Sequence, residues 1–385
     1  MQFTVTKGQL DEPLKMAASA TTKSASHPIF SHVLIQADEA GNLRLTGSDG
    51  STEIVTYAQA DIGTEGGIAV PAHKLRDICG SMQSNDASIS FSLEGHQMSV
   101  VSGKSRFKIQ TLPADHFPNI DQDEYTLVRE VPQRDLKALF ESTTSAMASK
   151  DVRYYLNGMC LNFRGENLEA VATDGHRLNV DEIQTGQPDA TAYGLSATLA
   201  DASLAKADGR AIVPRDFVLS LNRMLANSDD PALLLVSQRH FQVRRGSTVY
   251  TSKLIEGNFP DYNRIMPQRN DTPVVADTQA LRKALDRIKV VSDDTIHGAR
   301  VTLEGDTLRL QANNKDQEEA SEPVPVAYQG PEITLGFNIL YLIDALKACP
   351  SEQVQIHIQD ERSSALVAPH DVASNVRCVV MPMRL

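Results

Sequence analysis

The sequence predicts an α+β fold written three times in tandem, each unit being two short helices packed on antiparallel strands. Three observations carry that reading. A strand-and-turn segment, GNLRLTGSDG at 41–50, returns as ENLEAVATDG at 166–175 and, more loosely, as DTLRLQANNK at 306–315. A helical segment follows each copy: VPAHKLRDIC from 70, VPRDFVLSLN from 213 and GFNILYLIDAL from 336. A third landmark, TLPADHFP at 111–118 and SKLIEGNFP at 252–260, closes the first two units, and the third unit runs to VVMPMRL. Self-similarity of this kind marks a repeated structural unit.

Each repeat is expected to open with one helix and carry a second. Leu136, Leu139, Phe140 and Thr143, and then Leu281, Ala284, Leu285 and Ile288, give the opening helices an apolar face at i, i+3, i+4, i+7. Leu75, Ile78, Cys79 and Met82, and Ile339, Leu342, Ile343 and Leu346, do the same for the second helices. Between them lie alternating segments such as SISFSLEG and RFKIQTL, the pattern of antiparallel strands with one buried face. The repeats divide the chain into domains at 1–125, 126–268 and 269–385. The first two landmarks lie farther apart in the second repeat, and GQPDATAYGLSATLADASLAKADG, at 186–209, reads as a surface loop inserted there.

With 385 residues, 41% hydrophobic and 22% charged, the chain has the composition of a folded, water-soluble protein of several domains. The N-terminus has no apolar stretch of signal-peptide length and no eighteen apolar residues run together, so a cytoplasmic location is expected. Cys79, Cys160, Cys349 and Cys378 are far apart and form no C-x-x-C pair, which reads as four reduced core thiols. The net charge of −12 opposes nucleic-acid binding if spread evenly. It is not spread evenly: the six helical segments together carry +6, so a surface built from them would attract phosphate.

No common enzyme motif is present. SGKS at 102–105 resembles the end of a phosphate-binding loop, but Met98 stands where that loop needs glycine. No metal cluster, cofactor or catalytic residue is expected. TDGHRL, at 173–178, places an acid, a base and an anion-binding group together. Its Asp-Gly has the chemistry of a tight turn and recurs in the first repeat as SDGSTE, whereas His176 and Arg177 belong to the second repeat alone. Three readings stay open from the residues themselves: a structural histidine, a binding surface, or an acid–base pair of Asp174 and His176. In the nearby VRYYLNG, Arg153 with Tyr154 and Tyr155 combines a cation with aromatic rings, a pairing suited to nucleic acid and also common in cores.

DVRYYLNGM, VATDGHRL, FPDYNRIMP and VVMPMRL, in that order within a threefold repeat, resemble the bacterial sliding clamp family, the beta subunits of DNA polymerase III. The resemblance spans the whole chain. It implies a DNA-clamp fold that closes as a head-to-tail homodimeric ring around duplex DNA, held without reading sequence, and a non-enzymatic role as processivity factor. It implies a partner-peptide pocket at Leu156, Thr173, Gly175, His176, Arg177, Leu178, Pro260, Arg264, Ile265, Asn338, Tyr341, Ser364, Val379, Val380, Met381, Pro382, Met383, Arg384 and Leu385. The partners implied are the polymerase alpha subunit, an ATP-driven clamp loader and repair proteins. DNA contacts are expected at Lys23, Lys150, Arg153, Tyr154 and Tyr155. Dimer closure is expected to set Lys74, Lys104, Arg106 and Phe107 against Val290, Val291, Asp316, Glu318, Glu319 and Glu322. The alternatives are a monomeric peptide-binding scaffold that does not encircle DNA, and a hydrolase using His176 and Asp174.

Overall fold

The structure, a computed structural model, describes residues 1–23, 27–121, 124–188 and 207–384. Six α-helices are formed among these: α1 Lys7–Ser19, α2 Ala72–Gly80, α3 Gln133–Thr143, α4 Arg215–Met224, α5 Thr278–Lys289 and α6 Ile339–Ala348. They are the two helices per repeat that the periodicity predicts. The apolar faces named from sequence are inside: Leu136, Leu139, Phe140 and Thr143 of α3, and all four named residues of both α5 and α6, are buried. Leu75 and Cys79 of α2 are buried too, while Ile78 and Met82 are half-buried against the same core.

One expectation needs correction. A strand, not a helix, opens each repeat: Gln2–Thr6, Tyr125–Pro132 and Val274–Asp277 each run directly into the first helix. In the first and third repeats the strand is only five and four residues long, and in all three its last residue doubles as the helix cap, so the helical period hides it. Thr6 and Gln9 form a capping box at α1, and the Asp277 carboxylate accepts from Ala280 N at 2.7 Å at α5. Proline precedes three helices, at Pro71, Pro132 and Pro214, where its fixed φ holds an extended entry and no N–H is lost from the helix.

Four antiparallel sheets carry the helices. A small residue marks the same place in the repeated strand of each unit: Gly47, Ala172 and Ala312, all buried. At the first of these a Cβ would overlap the Ala17 carbonyl oxygen of α1, so the helix lies directly on the backbone.

The chain divides into two compact units that do not coincide with the repeats. One comprises Met1–Val131, Asp230–Leu254 and the described ends of Gly186–Ala207. The other comprises Pro132–Thr185, Asp208–Asp229 and Ile255–Leu385. The reason is that sheets continue across the repeats. In the first unit Thr52–Gln59 of repeat one pairs with Thr248–Lys253 of repeat two, from Thr52↔Ser252 to Val55↔Val249. In the second, Arg177–Gln184 of repeat two pairs with Arg377–Val380 of repeat three, from Arg177↔Val380 to Val180↔Arg377. The added length of repeat two falls between Arg177–Gln184 and Gly209–Pro214, where the inserted loop is expected, and residues 189–206 of it lie outside the described residues. All four cysteines are buried free thiols. Among the described residues no helix is long and apolar enough to cross a membrane.

Candidate functional site: a two-repeat pocket wall

TDGHRL is the turn between strands Asn167–Thr173 and Arg177–Gln184, and its geometry separates the turn formers from the other residues. The Asp174 Oδ1 accepts from His176 N at 2.9 Å and Arg177 N at 3.1 Å, while Gly175 takes a φ of 91°. Asp49 does the same for Ser51 N and Thr52 N, with Gly50 at 86°. Asp174 and Gly175 are therefore turn formers, as their recurrence predicts. Gly175 also faces Arg153: a Cβ there would approach the Arg153 guanidinium to 2.9 Å.

The acid–base reading of Asp174 and His176 does not fit this arrangement. The second Asp174 oxygen, Oδ2, accepts from Arg177 Nε at 3.0 Å, so both oxygens are engaged and neither orients the imidazole. A general base needs such an orienting partner. His176 is exposed, which also removes the reading as a buried structural histidine.

Arg177 is held more tightly than the sequence indicates. Its Nη1 donates to Asp344 Oδ2 at 2.7 Å, and its Cζ lies 4.3 Å from the Tyr341 ring centroid. Asp344 is the site residue that sequence reading missed. A signal existed, since Tyr341 was named and Asp344 lies one turn further along the same face of α6. Burial at this contact pushes the Tyr341 phenol up.

The terminal strand completes the wall. Arg177↔Val380 and Leu178↔Val379 are paired, and beyond the strand Met381 N donates to His176 O at 2.9 Å. Met383 N then donates to Gly336 O at 2.8 Å. Alternation places Cys378 and Val380 in the core of the third repeat and Val379 in a second cluster with Leu156, Leu178, Phe259 and Tyr262. Asn338 caps α6 by accepting from Leu340 N at 2.9 Å and Tyr341 N at 3.3 Å, and its amide donates to Ile296 O at 3.1 Å.

The FPDYNRI segment is anchored from below. The Tyr262 hydroxyl donates to the buried Glu169 carboxylate, which also accepts from Asn162 Nδ2 at 3.1 Å. Burial, and then that carboxylate, push the Tyr262 phenol well up, so it remains a donor. Fixed there, the segment leaves Pro260, Arg264 and Ile265 exposed, with Ile265 58% accessible.

The structure thus brings the named pocket residues into one unit. Leu156, Thr173, Leu178, Val379 and Val380 are buried; Gly175, His176, Pro260, Arg264, Ile265, Met381 and Arg384 are exposed; Arg177, Asn338, Tyr341, Ser364, Pro382 and Met383 lie between. Leu385 lies outside the described residues.

The residues expected to meet DNA are less uniform. Lys23 and Lys150 are exposed and Tyr154 is 58% accessible, with Tyr155 edge-on to it at 5.8 Å. Arg153, however, is paired: Nε and Nη2 donate to Asp151 at 3.0 and 2.8 Å, and Nη2 to Asp174 O at 3.0 Å. The guanidinium holds the Asp151 carboxyl down at about 2. Its charge is thereby offset, and it braces the TDGHRL turn.

Of the residues expected at a dimer contact, Lys74, Lys104, Arg106, Val290, Asp316, Glu318 and Glu319 are exposed, while Phe107 and Val291 are half-buried. Glu322 is engaged within its own chain by Arg287, whose Nε donates to it at 2.9 Å.

Buried apolar side chains beneath exposed polar ones thus meet where the second and third repeats of a tandem-repeat α+β protein join their strands. The chain matches the N-terminal, central and C-terminal domains of the DNA polymerase III beta subunit over residues 1–121, 130–261 and 263–384, and belongs to that family, the bacterial sliding clamps. It is 39% identical over 386 residues to the beta sliding clamp of Pseudomonas aeruginosa and 38% identical over 387 residues to that of Escherichia coli, with 100% of each chain covered. The crystal structure of the Pseudomonas aeruginosa clamp bound to griselimycin superposes with a TM-score of 0.91 at 38% identity, again over 100% of both chains.

Proposed function

We propose that the chain is the processivity clamp of a bacterial replicative polymerase: a non-enzymatic cytoplasmic protein that closes as a head-to-tail homodimer around duplex DNA. The repeats then serve as the domains 1–125, 126–268 and 269–385. The observation that carries this reading is a junction made twice and left open once. Thr52–Gln59 and Arg177–Gln184 each pair through their first four residues with a strand of the next repeat. Their counterpart in repeat three, Glu319–Pro325, is an edge strand, and so is Ser105–Gln110 of repeat one. Repeating the same register would set Phe107 opposite Ala320 and Lys108 opposite Glu319 of a second copy.

Charge and shape favour that pairing. Lys104, Arg106 and Lys108 flank one edge, and Asp316, Glu318 and Glu319 the other. Opposite charges promote head-to-tail contact and discourage like edges from meeting. Pro323 and Pro325 bar the rest of the acidic edge from donating to a neighbour.

With the ring closed, retention on DNA is topological, and weak phosphate contacts from basic helices and from Lys23 and Lys150 permit sliding. Opening such a ring calls for an ATP-driven loader. The recess receives short peptides of the polymerase alpha subunit, the loader and repair proteins: Leu156, Leu178 and Val379 underlie the apolar side chains, and pliable Met381 and Met383 adapt at its edge. A relative's binding of griselimycin supports a ligand-competent surface in this family.

Native mass spectrometry with small-angle scattering tests the ring. Expected is a hollow particle of about 84 kDa, two 42.0 kDa chains. A stable 42.0 kDa monomer at micromolar concentration would leave the peptide-binding scaffold as the reading.

A further inference from the structure

We propose that Asp344 is a positioning residue of the peptide recess, which fixes Arg177 as a strut of the wall and removes it as a receptor for anionic groups. This rests on the recess being the partner site. The Arg177 guanidinium lies between two carboxylates, with Asp174 Oδ2 3.0 Å from Nε and Asp344 Oδ2 2.7 Å from Nη1. One face of its plane covers the Tyr341 ring at 4.3 Å. The Arg177 side chain is 15% exposed and Asp344 30%, so neither group is fully hydrated.

Two carboxylates around one guanidinium leave no positive charge to offer a ligand. A guanidinium in the implied pocket would suit polar groups of a partner; the geometry gives that task to the exposed rim residues His176 and Arg384. What Arg177 supplies is a fixed bridge between the TDGHRL turn of repeat two and α6 of repeat three. Asp344 determines it, because Asp174 holds Nε but leaves the far end of the guanidinium undirected. Lys347 Nζ lies 3.8 Å from the other Asp344 oxygen on the same helix, too far for a hydrogen bond, so Arg177 is the directed partner of that carboxylate. Without the Asp344 charge, Nη1 loses its acceptor, the plane is free to rotate off Tyr341, and the wall between turn and helix loosens.

The test uses the full chain, griselimycin as probe, calorimetry for affinity and thermal unfolding for stability. Asp344→Asn should weaken griselimycin about tenfold, the scale of coupling between contacting residues, with its unfolding temperature little changed. Asp344→Glu should restore affinity to within about twofold. In an Arg177→Met background, which should itself bind about tenfold more weakly, Asp344→Asn should add nothing. Wild-type affinity in Asp344→Asn, or additive losses in the double variant, would overturn the proposal. A chain lacking residues 383–385 separates the two levels. If that deletion abolishes binding while Asp344→Asn does not affect it, only the positioning role fails. If the deletion leaves binding intact, the recess is not the griselimycin site and both readings fall.

Discussion

The backbone N–H of Met381 donates to the carbonyl of His176 at 2.9 Å, extending the pairing of the terminal strand onto the one TDGHRL begins. Two residues later Met383 N reaches Gly336 O at 2.8 Å, so the end of the described chain is stitched to both repeats that form the wall. Deleting residues 383–385 should therefore weaken griselimycin at least about tenfold, as loss of a central contact does, and leave the dimer intact. Calorimetry and native mass on the same sample check both halves.

The open edges predict a charge-dependent dimer. Arg106→Glu with Lys108→Glu puts acid against the acidic edge of Glu318 and Glu319, and should raise the dimer dissociation constant at least about tenfold. Analytical ultracentrifugation at low and high salt measures it. A dissociation constant indifferent to both changes would place the contact elsewhere.

Gly47 lies beneath α1 with no room for a side chain, since a Cβ would overlap the Ala17 carbonyl, which is backbone and cannot step aside. Gly47→Ala should destabilise by about 2–3 kcal/mol, the penalty of overpacking, read as a lower urea midpoint at unchanged slope. By contrast Gly95→Ala has open space, and its effect comes only from the φ of 60° at that turn.

Burial lowers the affinity of His32 for protons, although its Nδ1 lies 2.7 Å from the Pro28 carbonyl oxygen. Unfolding releases a ring of ordinary basicity, so the unfolded chain takes up the proton first as pH falls. The contribution to stability is complete above the ordinary histidine range and is lost as pH falls through it towards the depressed folded value. His32→Gln should flatten the slope of melting temperature against pH between 7 and 5. An identical slope in the variant would assign the dependence to other groups.

Much of this was legible in the sequence because it is local. Leu136, Leu139 and Phe140, or Ile339, Leu342 and Ile343, point to one face by spacing alone, and all are buried. The turn at Asp174 and Gly175 was readable because Asp49 and Gly50 repeat it. The opening strands were not, because Gln2–Thr6 and Val274–Asp277 are only five and four residues long and merge into capped helices. The fate of Arg177 was not either. Its sequence neighbours suggest a free cation, whereas its second acceptor lies 167 residues away.

By itself, then, the sequence determined the repeated unit, the helix faces, the turns and the family, since each depends on periodicity or on residues a few positions apart. Tertiary structure alone decided which strands join across repeats, which edges stay open, and that Arg177 is shared by Asp174 and Asp344. Those outcomes depend on which distant surfaces meet when two repeats merge their sheets, and no local pattern encodes a partner more than a hundred positions away.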